Sequence, residues 1–482
     1  MSAVTEVRTG AKSVVPSWLR GPGMGASIIV AAISAFFGAA LVLATDYIGV
    51  LLKSNPYIGD SSMLAAVVAV LGWVMIGVAM YVAAIVTANT FATVVAGRTR
   101  SIALMRLIGA TAASERRRIA NQGLGVGALG AVIGAVLACI AVHIGVELLS
   151  DAGTTAPGFT PAQWSVLVPA VAVALTTWAA AWAGSRRVLA VTPLEAIGGS
   201  VEASREQIAR RTGRHIFAAI LLASGVLLLA LGVVLGLLSP LAVIVAFFGG
   251  VLSFTGLALG ATLVMPPVLR VVGRLFGRSA TARMAAENAL RYPERSSRMA
   301  IGVVMGVTLV TMFAVAFGSI RAMLERVAGG EMPPELGSVL DSFTAIMMSL
   351  VGVSAVIAAV GLVNLLTLGI LQRRRELGLL RALGLTGRQV RLMVLIEAAH
   401  VTIAAVGLGL VLGIGYGWVA AQSVLGSVSG LTTGVGIGIV VPALPLVPLL
   451  VIVVAAAVLT LAAAVWPTRI ATRVGPIQAL AA

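Results

Sequence analysis

Arg375-Glu-Leu-Gly-Leu-Leu-Arg-Ala-Leu-Gly-Leu-Thr386 closes one long apolar run and precedes another. The same pattern occurs earlier as Arg100-Ser-Ile-Ala-Leu-Met-Arg-Leu-Ile-Gly-Ala-Thr111. Both copies keep Arg at the first and seventh places (Arg100 and Arg106; Arg375 and Arg381). Both keep Gly at the tenth (Gly109; Gly384) and Thr at the twelfth (Thr111; Thr386), at one offset (375 − 100 = 275). A recurrence at fixed spacing is the mark of a duplicated architecture. Each copy reads as a short basic amphipathic helix, a glycine stop and a new start. Thr386-Gly-Arg-Gln389 has the form of a capping box, whereas Ser114 stands where Gln389 would be in the first copy.

The flanking runs set the solvent. Of 482 residues, 59% are hydrophobic and 10% charged, and the mean hydropathy is +1.07. Several runs reach the roughly 20 residues that cross a bilayer core. The expected fold is an all-α polytopic membrane protein. Its ten spans fall near 25–45, 62–96, 121–148, 163–188, 215–237, 241–268, 299–320, 342–373, 394–422 and 443–467. Four helices, two helices and four helices follow in order. The halves have the same topological sign, so they form parallel repeats about an axis along the membrane normal. The expected divisions are an N-terminal segment at 1–24, a four-helix unit at 25–200, a linker and two-helix insert at 201–285, and a second four-helix unit at 286–482.

Other points share the offset: Arg20 with Arg295, Asn89 with Asn364, and Gln122 with Glu397. Val191-Thr-Pro-Leu-Glu-Ala-Ile197 and Val474-Gly-Pro-Ile-Gln-Ala-Leu480 end the two halves alike, at a wider spacing that places extra residues in the last outer loop, 423–442. Helices two and eight exceed the bilayer thickness, which suggests stalks below the membrane.

The net charge of +16 does not mark a nucleic-acid binder, because nearly all the Lys and Arg gather in alternate loops, leaving Lys53, Arg321 and Arg326 for the opposite side. The intervening loops carry Asp46, Asp60, Glu147, Asp151, Glu325, Glu331, Glu335 and Asp341. This positive-inside asymmetry puts both termini in the cytoplasm, in a bacterial-type plasma membrane. The outer loops are short of the 50 or so residues that a folded domain needs.

Chemistry finds little purchase. Three His and the lone Cys139 show no metal-ligand spacing and allow no internal disulfide. Thr9-Gly-Ala-Lys-Ser13 lacks the Gly that precedes the Lys of a phosphate-binding loop. No cofactor is expected on this chain. Glu397 with His400 and His143 with Glu147 have the spacing of proton relays, but both pairs lie near helix ends, where charge is tolerated. Asn89 and Asn364 suit hydrogen bonds between helices. Trp73, Trp164 and Trp466 suit the membrane interface.

Asn364, the run Arg373-Arg-Arg-Glu-Leu-Gly-Leu-Leu-Arg-Ala-Leu-Gly384, Glu397 and Pro476-Ile-Gln-Ala-Leu480 together resemble the FtsX-like permease superfamily of MacB-type, or type VII, ABC transporters. Glu287-Asn-Ala-Leu-Arg-Tyr-Pro-Glu-Arg295 resembles the approach to that family's first helix. The second half is the closer match. The first has Ser101 for Glu376 and Gln122 for Glu397.

The resemblance implies that Arg100, Arg106, Gly109 and Thr111, and likewise Arg375, Glu376, Arg381, Gly384 and Thr386, couple the permease to a separate ATPase. Two ATPase subunits per permease are implied, with ATP and Mg²⁺ bound there. An amphipathic, lipid-like or antimicrobial compound is the implied cargo, moved outward. The alternatives are an FtsX-type transmitter that regulates envelope hydrolases, and a proton-driven secondary transporter.

Overall fold

The computed structural model describes residues 24–53, 109–151, 158–189, 212–274, 293–327, 382–433 and 438–447. It also describes scattered positions within 66–88, 104–107, 284–290, 379 and 449–458. Among the described residues eight continuous α-helices follow in order: α1 (Met24–Lys53), α2 (Ala112–Asp151), α3 (Leu167–Leu189), α4 (Thr212–Gly236), α5 (Val243–Leu259), α6 (Ala261–Gly273), α7 (Pro293–Val327) and α8 (Gly387–Thr433). The chain is an all-α polytopic membrane protein. Seven helical segments among the described residues are long and apolar enough to cross a bilayer. They correspond to the first, third, fourth, fifth, sixth, seventh and ninth expected spans. The eighth, at 342–373, lies outside the described residues, as do the stalks expected on helices two and eight. The second and tenth spans are described only in part.

The duplication reappears as packing. In the first half α1 lies along α2, and in the second α7 lies along α8. A Cβ at Gly134 on α2 would run into Ala32, and one at Gly409 on α8 would run into Val307. Both residues of the second pair stand 275 positions after their counterparts. In hydrocarbon no hydrophobic force draws helices together, so close approach over small residues is what holds such pairs. A shared core then joins the halves, with Phe37 and Leu41 of α1, Val304 and Phe313 of α7, and Ala404 and Ala405 of α8 buried together.

Between the halves, α4 and α5 form a tight hairpin. Ser239 accepts a hydrogen bond from the Leu241 N–H at 3.3 Å and starts a 3₁₀ turn at Pro240–Ala242. Gly225 and Gly232 of α4 take Ser253 and Ala246 of α5 against their bare backbones.

Three boundaries differ from the sequence expectation. The span expected at 241–268 is two helices that meet at Gly260, and α6 carries Pro266 and Pro267. Neither proline can donate to the turn before it, so the second piece is short. The third span begins at Ala112, not near 121, and the ninth at Gly387, not near 394. In both, the polar turn after Thr111 or Thr386 continues into the membrane helix without a break. The resulting helices of 40 and 47 residues are about 60 and 70 Å long. The extension of α8 to Thr433 also places half of the expected last outer loop in helix.

Candidate functional site

The second basic turn is built by local rules. The Leu383 N–H donates to the Leu379 carbonyl at 2.9 Å, closing the last turn of the short element. Gly384 then takes φ +101°, a left-handed conformation that would cost another residue about 1–2 kcal/mol. Thr386 Oγ1 accepts from the Gln389 N–H at 3.2 Å, and Gln389 Oε1 accepts from the Thr386 N–H at 2.9 Å. These reciprocal bonds satisfy two of the backbone donors that a helix start leaves open. Leu385 packs beside buried Val390, pinning the residue before the cap to the first full turn.

The first turn has the same frame with weaker fittings. Gly109 takes φ +103°. Thr111 Oγ1 accepts from the Ser114 N–H at 3.2 Å, while Ser114 Oγ donates to the Thr111 carbonyl at 2.8 Å. Ala110 replaces Leu385 and Glu115 replaces Val390, so the apolar clasp is missing. In its place the Arg116 guanidinium sits 3.7 Å from the centroid of the Trp182 ring, tying α2 to α3. Buried Glu115 pairs with Arg118 at 3.5 Å.

Leu104 and Leu107 before the first turn are 49% and 52% exposed, and Leu379 and Leu383 before the second are 52% and 73% exposed. Apolar side chains thus project beside each glycine stop, a surface composition that suits burial against another body. Arg100, Arg106, Arg375, Glu376 and Arg381 lie outside the described residues, as do Asn89 and Asn364.

Gln122 and Glu397 hold equivalent places on α2 and α8, Gln122 half-buried and Glu397 buried. His400, one turn beyond Glu397, donates from Nε2 to the Leu269 carbonyl at 2.6 Å and fastens α8 to α6. His143 and Glu147 are 3.4 Å apart on an exposed face of α2. The free thiol of Cys139 points at the Pro161 carbonyl, 3.5 Å away. Trp73 and Trp164 are strongly exposed, and Trp466 lies outside the described residues. Among the described residues no cluster of three His, Cys, Asp or Glu side chains could hold a metal ion.

At the end of α8 away from the basic turns, Gln422 works as a clasp. Its Nε2 donates to the Gly438 carbonyl at 2.8 Å and its Oε1 accepts from the Val440 N–H at 2.7 Å. Trp418 donates to the Val440 carbonyl at 2.9 Å, and Ser319 of α7 accepts from the Ala443 N–H at 3.0 Å. An apolar chamber of about 160 Å³ opens nearby between residues 74–82, α4, α5, α7 and α8. Sequence reading found neither feature. A glutamine inside an apolar run was the one visible hint.

Residues 73–193 and 348–476, together just over half of the chain, match the FtsX-like permease C-terminal family. The chain is 33% identical over 103 residues to the uncharacterized ABC transporter permease YknZ of Bacillus subtilis, covering 21% of this chain and 24% of that one. It is 26% identical over 145 residues to the macrolide export ATP-binding/permease protein MacB of Bdellovibrio bacteriovorus, covering 30% of this chain and 20% of that one. The aligned region therefore spans a quarter or less of either relative.

Proposed function

We propose, since this chain belongs to the FtsX-like permease family, that it is the membrane-spanning permease subunit of an ABC transporter. ATP and Mg²⁺ are bound by separate ATPase chains, two per permease, on the cytoplasmic side. The permease catalyses no reaction of its own. One observation carries this reading: two glycine-stopped, threonine-capped turns of equal backbone geometry, each flanked by exposed leucines, each leading into a single long helix. A capped turn fused to an unbroken helix is a stiff lever. Movement imposed near Thr386 travels along α8 to the Gln422 clasp, and movement near Thr111 travels along α2.

Arg100, Arg106, Arg375, Glu376 and Arg381 supply the charged contacts in this scheme, with Gly109, Thr111, Gly384 and Thr386 setting the turn. Asn89, Asn364, Gln122 and Glu397 act between helices. The cargo is an amphipathic or lipid-like compound moved outward. The name of the Bdellovibrio relative, a macrolide exporter, supports the direction, and the apolar character of the bundle supports the class.

The test is purification of the full chain with its ATPases, followed by transport in vesicles. Two ATPases per permease are expected, and recovery of one or none overturns the scheme. Reversing both charges, Arg106→Glu with Arg381→Glu, is expected to lower nucleotide-driven transport on the order of thirtyfold or more. Unchanged transport in that variant contradicts docking at the two turns.

A further inference from the structure

The chamber lies in the half of the bundle away from the basic turns, and its walls come from regions that the family match does not join. Residues 74–82 and 416–424 fall inside the matched segments, while Leu229 of α4, residues 243–254 of α5 and residues 305–320 of α7 fall outside them. The two-helix insert therefore completes a cavity that neither four-helix unit encloses alone.

We propose that this chamber seats one acyl chain of a bilayer phospholipid, with the headgroup left outside. The inference goes beyond the transport reading, because it needs only a chain that spans a membrane. The surroundings decide what is held: the walls are membrane helices lined by apolar side chains, so a hydrocarbon guest is favoured over a polar one.

Polarity decides which part of the lipid enters. The tyrosine hydroxyls on the wall are already engaged. Tyr81 bonds with Thr255 Oγ1 at 2.8 Å and the Val251 carbonyl at 3.2 Å, and Tyr416 bonds with Ser253 Oγ at 2.9 Å. Thr308 Oγ1 has no hydrogen-bond partner among the described residues, but it is enclosed away from the open space. Among the described residues the open surface of the lining is almost wholly apolar and offers little to receive a phosphate or an amine.

Size narrows the choice. A cavity of about 150 Å³ lined by aliphatic and aromatic side chains stays dry and takes a single ring-sized apolar guest. A chamber of about 160 Å³ thus accepts a run of methylenes. Met305, Met312, Phe313 and Phe317 supply polarizable contacts that conform to a flexible chain.

Gly250 offers the means of testing this. It lines the chamber, and a Cβ placed there meets nothing within 4 Å. A larger side chain can enter the open space without pushing the backbone. The experiment uses the full chain in nanodiscs of phosphatidylethanolamine and phosphatidylglycerol, with a photoreactive diazirine near the end of one acyl chain. Adducts are located by mass spectrometry.

Adducts on residues 305–317 and 419–424 are expected. Gly250→Leu is expected to reduce them about tenfold, the loss that follows when roughly two methylenes no longer find an apolar seat. Labelling of the lipid-facing positions Val132, Val136 and Ile140 on α2 is expected to stay unchanged. Gly250→Ala should label like the parent chain, and Ala420→Leu fills the same space from α8 if Gly250→Leu does not fold. Labelling spread evenly over α2 and the chamber residues, and indifferent to both filling variants, overturns the proposal. So does competition by soluble glycerophosphoglycerol, because a headgroup without chains should not displace the label.

Discussion

The turn at Thr386 and the turn at Thr111 share a backbone but not a set of anchors. At Thr386 the side chains of the turn hold it, through a reciprocal capping box and the Leu385–Val390 contact. At Thr111 a single side-chain acceptor caps the start, and the hold comes from the neighbouring helix, through Arg116 over Trp182. Duplication thus preserved the turn geometry, while the means of stabilising it diverged. The second turn is locally self-sufficient, and the first leans on α3.

The largest effect lies in the packing beneath the turns. Gly134 meets the α1 backbone at Ala32 and Phe36 with the deeper overlap, whereas Gly409 meets the Val307 Cβ and, less closely, the Val304 carbonyl. Gly134→Ala should destabilise the chain by about 3 kcal/mol and Gly409→Ala by about 2 kcal/mol, since overpacking costs more where the overlap is deeper and the neighbour is backbone. Thermal unfolding in detergent measures both. Equal losses would erase this asymmetry between the halves.

Next come the glycine stops. Gly109→Ala and Gly384→Ala should each cost about 1–2 kcal/mol, because both hold the left-handed backbone that Ala resists. Amide exchange at the starts of α2 and α8 reads the change locally, and a loss at only one start would show that the two turns are not equivalent.

A smaller effect separates the caps. Gln389→Ala should cost about 1 kcal/mol and Ser114→Ala a few tenths, because Gln389 accepts from the Thr386 N–H while Ser114 Oγ only bonds back to the Thr111 carbonyl. Adding the missing parts, Ser114→Gln with Ala110→Leu and Glu115→Val, should bring protection at the first turn up to that of the second. No gain would mean that the box and clasp are not the source of the difference.

An effect confined to one turn is expected at Trp182→Leu, about 0.5–1 kcal/mol from the lost cation–π contact. Its loss should loosen the start of α2 and leave the start of α8 as it was. A change at both turns would break the claim that only the first depends on α3.

The glycine stops and threonine caps were legible because their physics is local. A left-handed residue, and a cap four residues long, are written in consecutive letters. The lengths of α2 and α8 were not legible, because Glu115-Arg116-Arg117-Arg118 and Arg388 read as loop when charge alone marks the membrane edge. In the fold that charge sits on helix below the apolar span. The break at Gly260 was hidden within one continuous apolar run. Glu397 and His400 looked like a relay by spacing, yet His400 is turned to the Leu269 carbonyl on a helix that the sequence did not delimit.

Sequence by itself determined that this chain crosses a bilayer many times, that it is a doubled unit, and where each basic turn begins and ends. Those facts follow from hydropathy summed over about 20 residues and from hydrogen bonds made within four. Only the tertiary structure decided which apolar faces meet one another and which meet lipid. The apolar windows of α4 and α7 look alike as text, yet 17% of the first and 83% of the second are buried. In water, burial sorts apolar from polar residues and leaves a periodicity to read. Inside hydrocarbon both faces of a helix are apolar, so the core, the Arg116–Trp182 contact and the chamber had to await the assembled bundle.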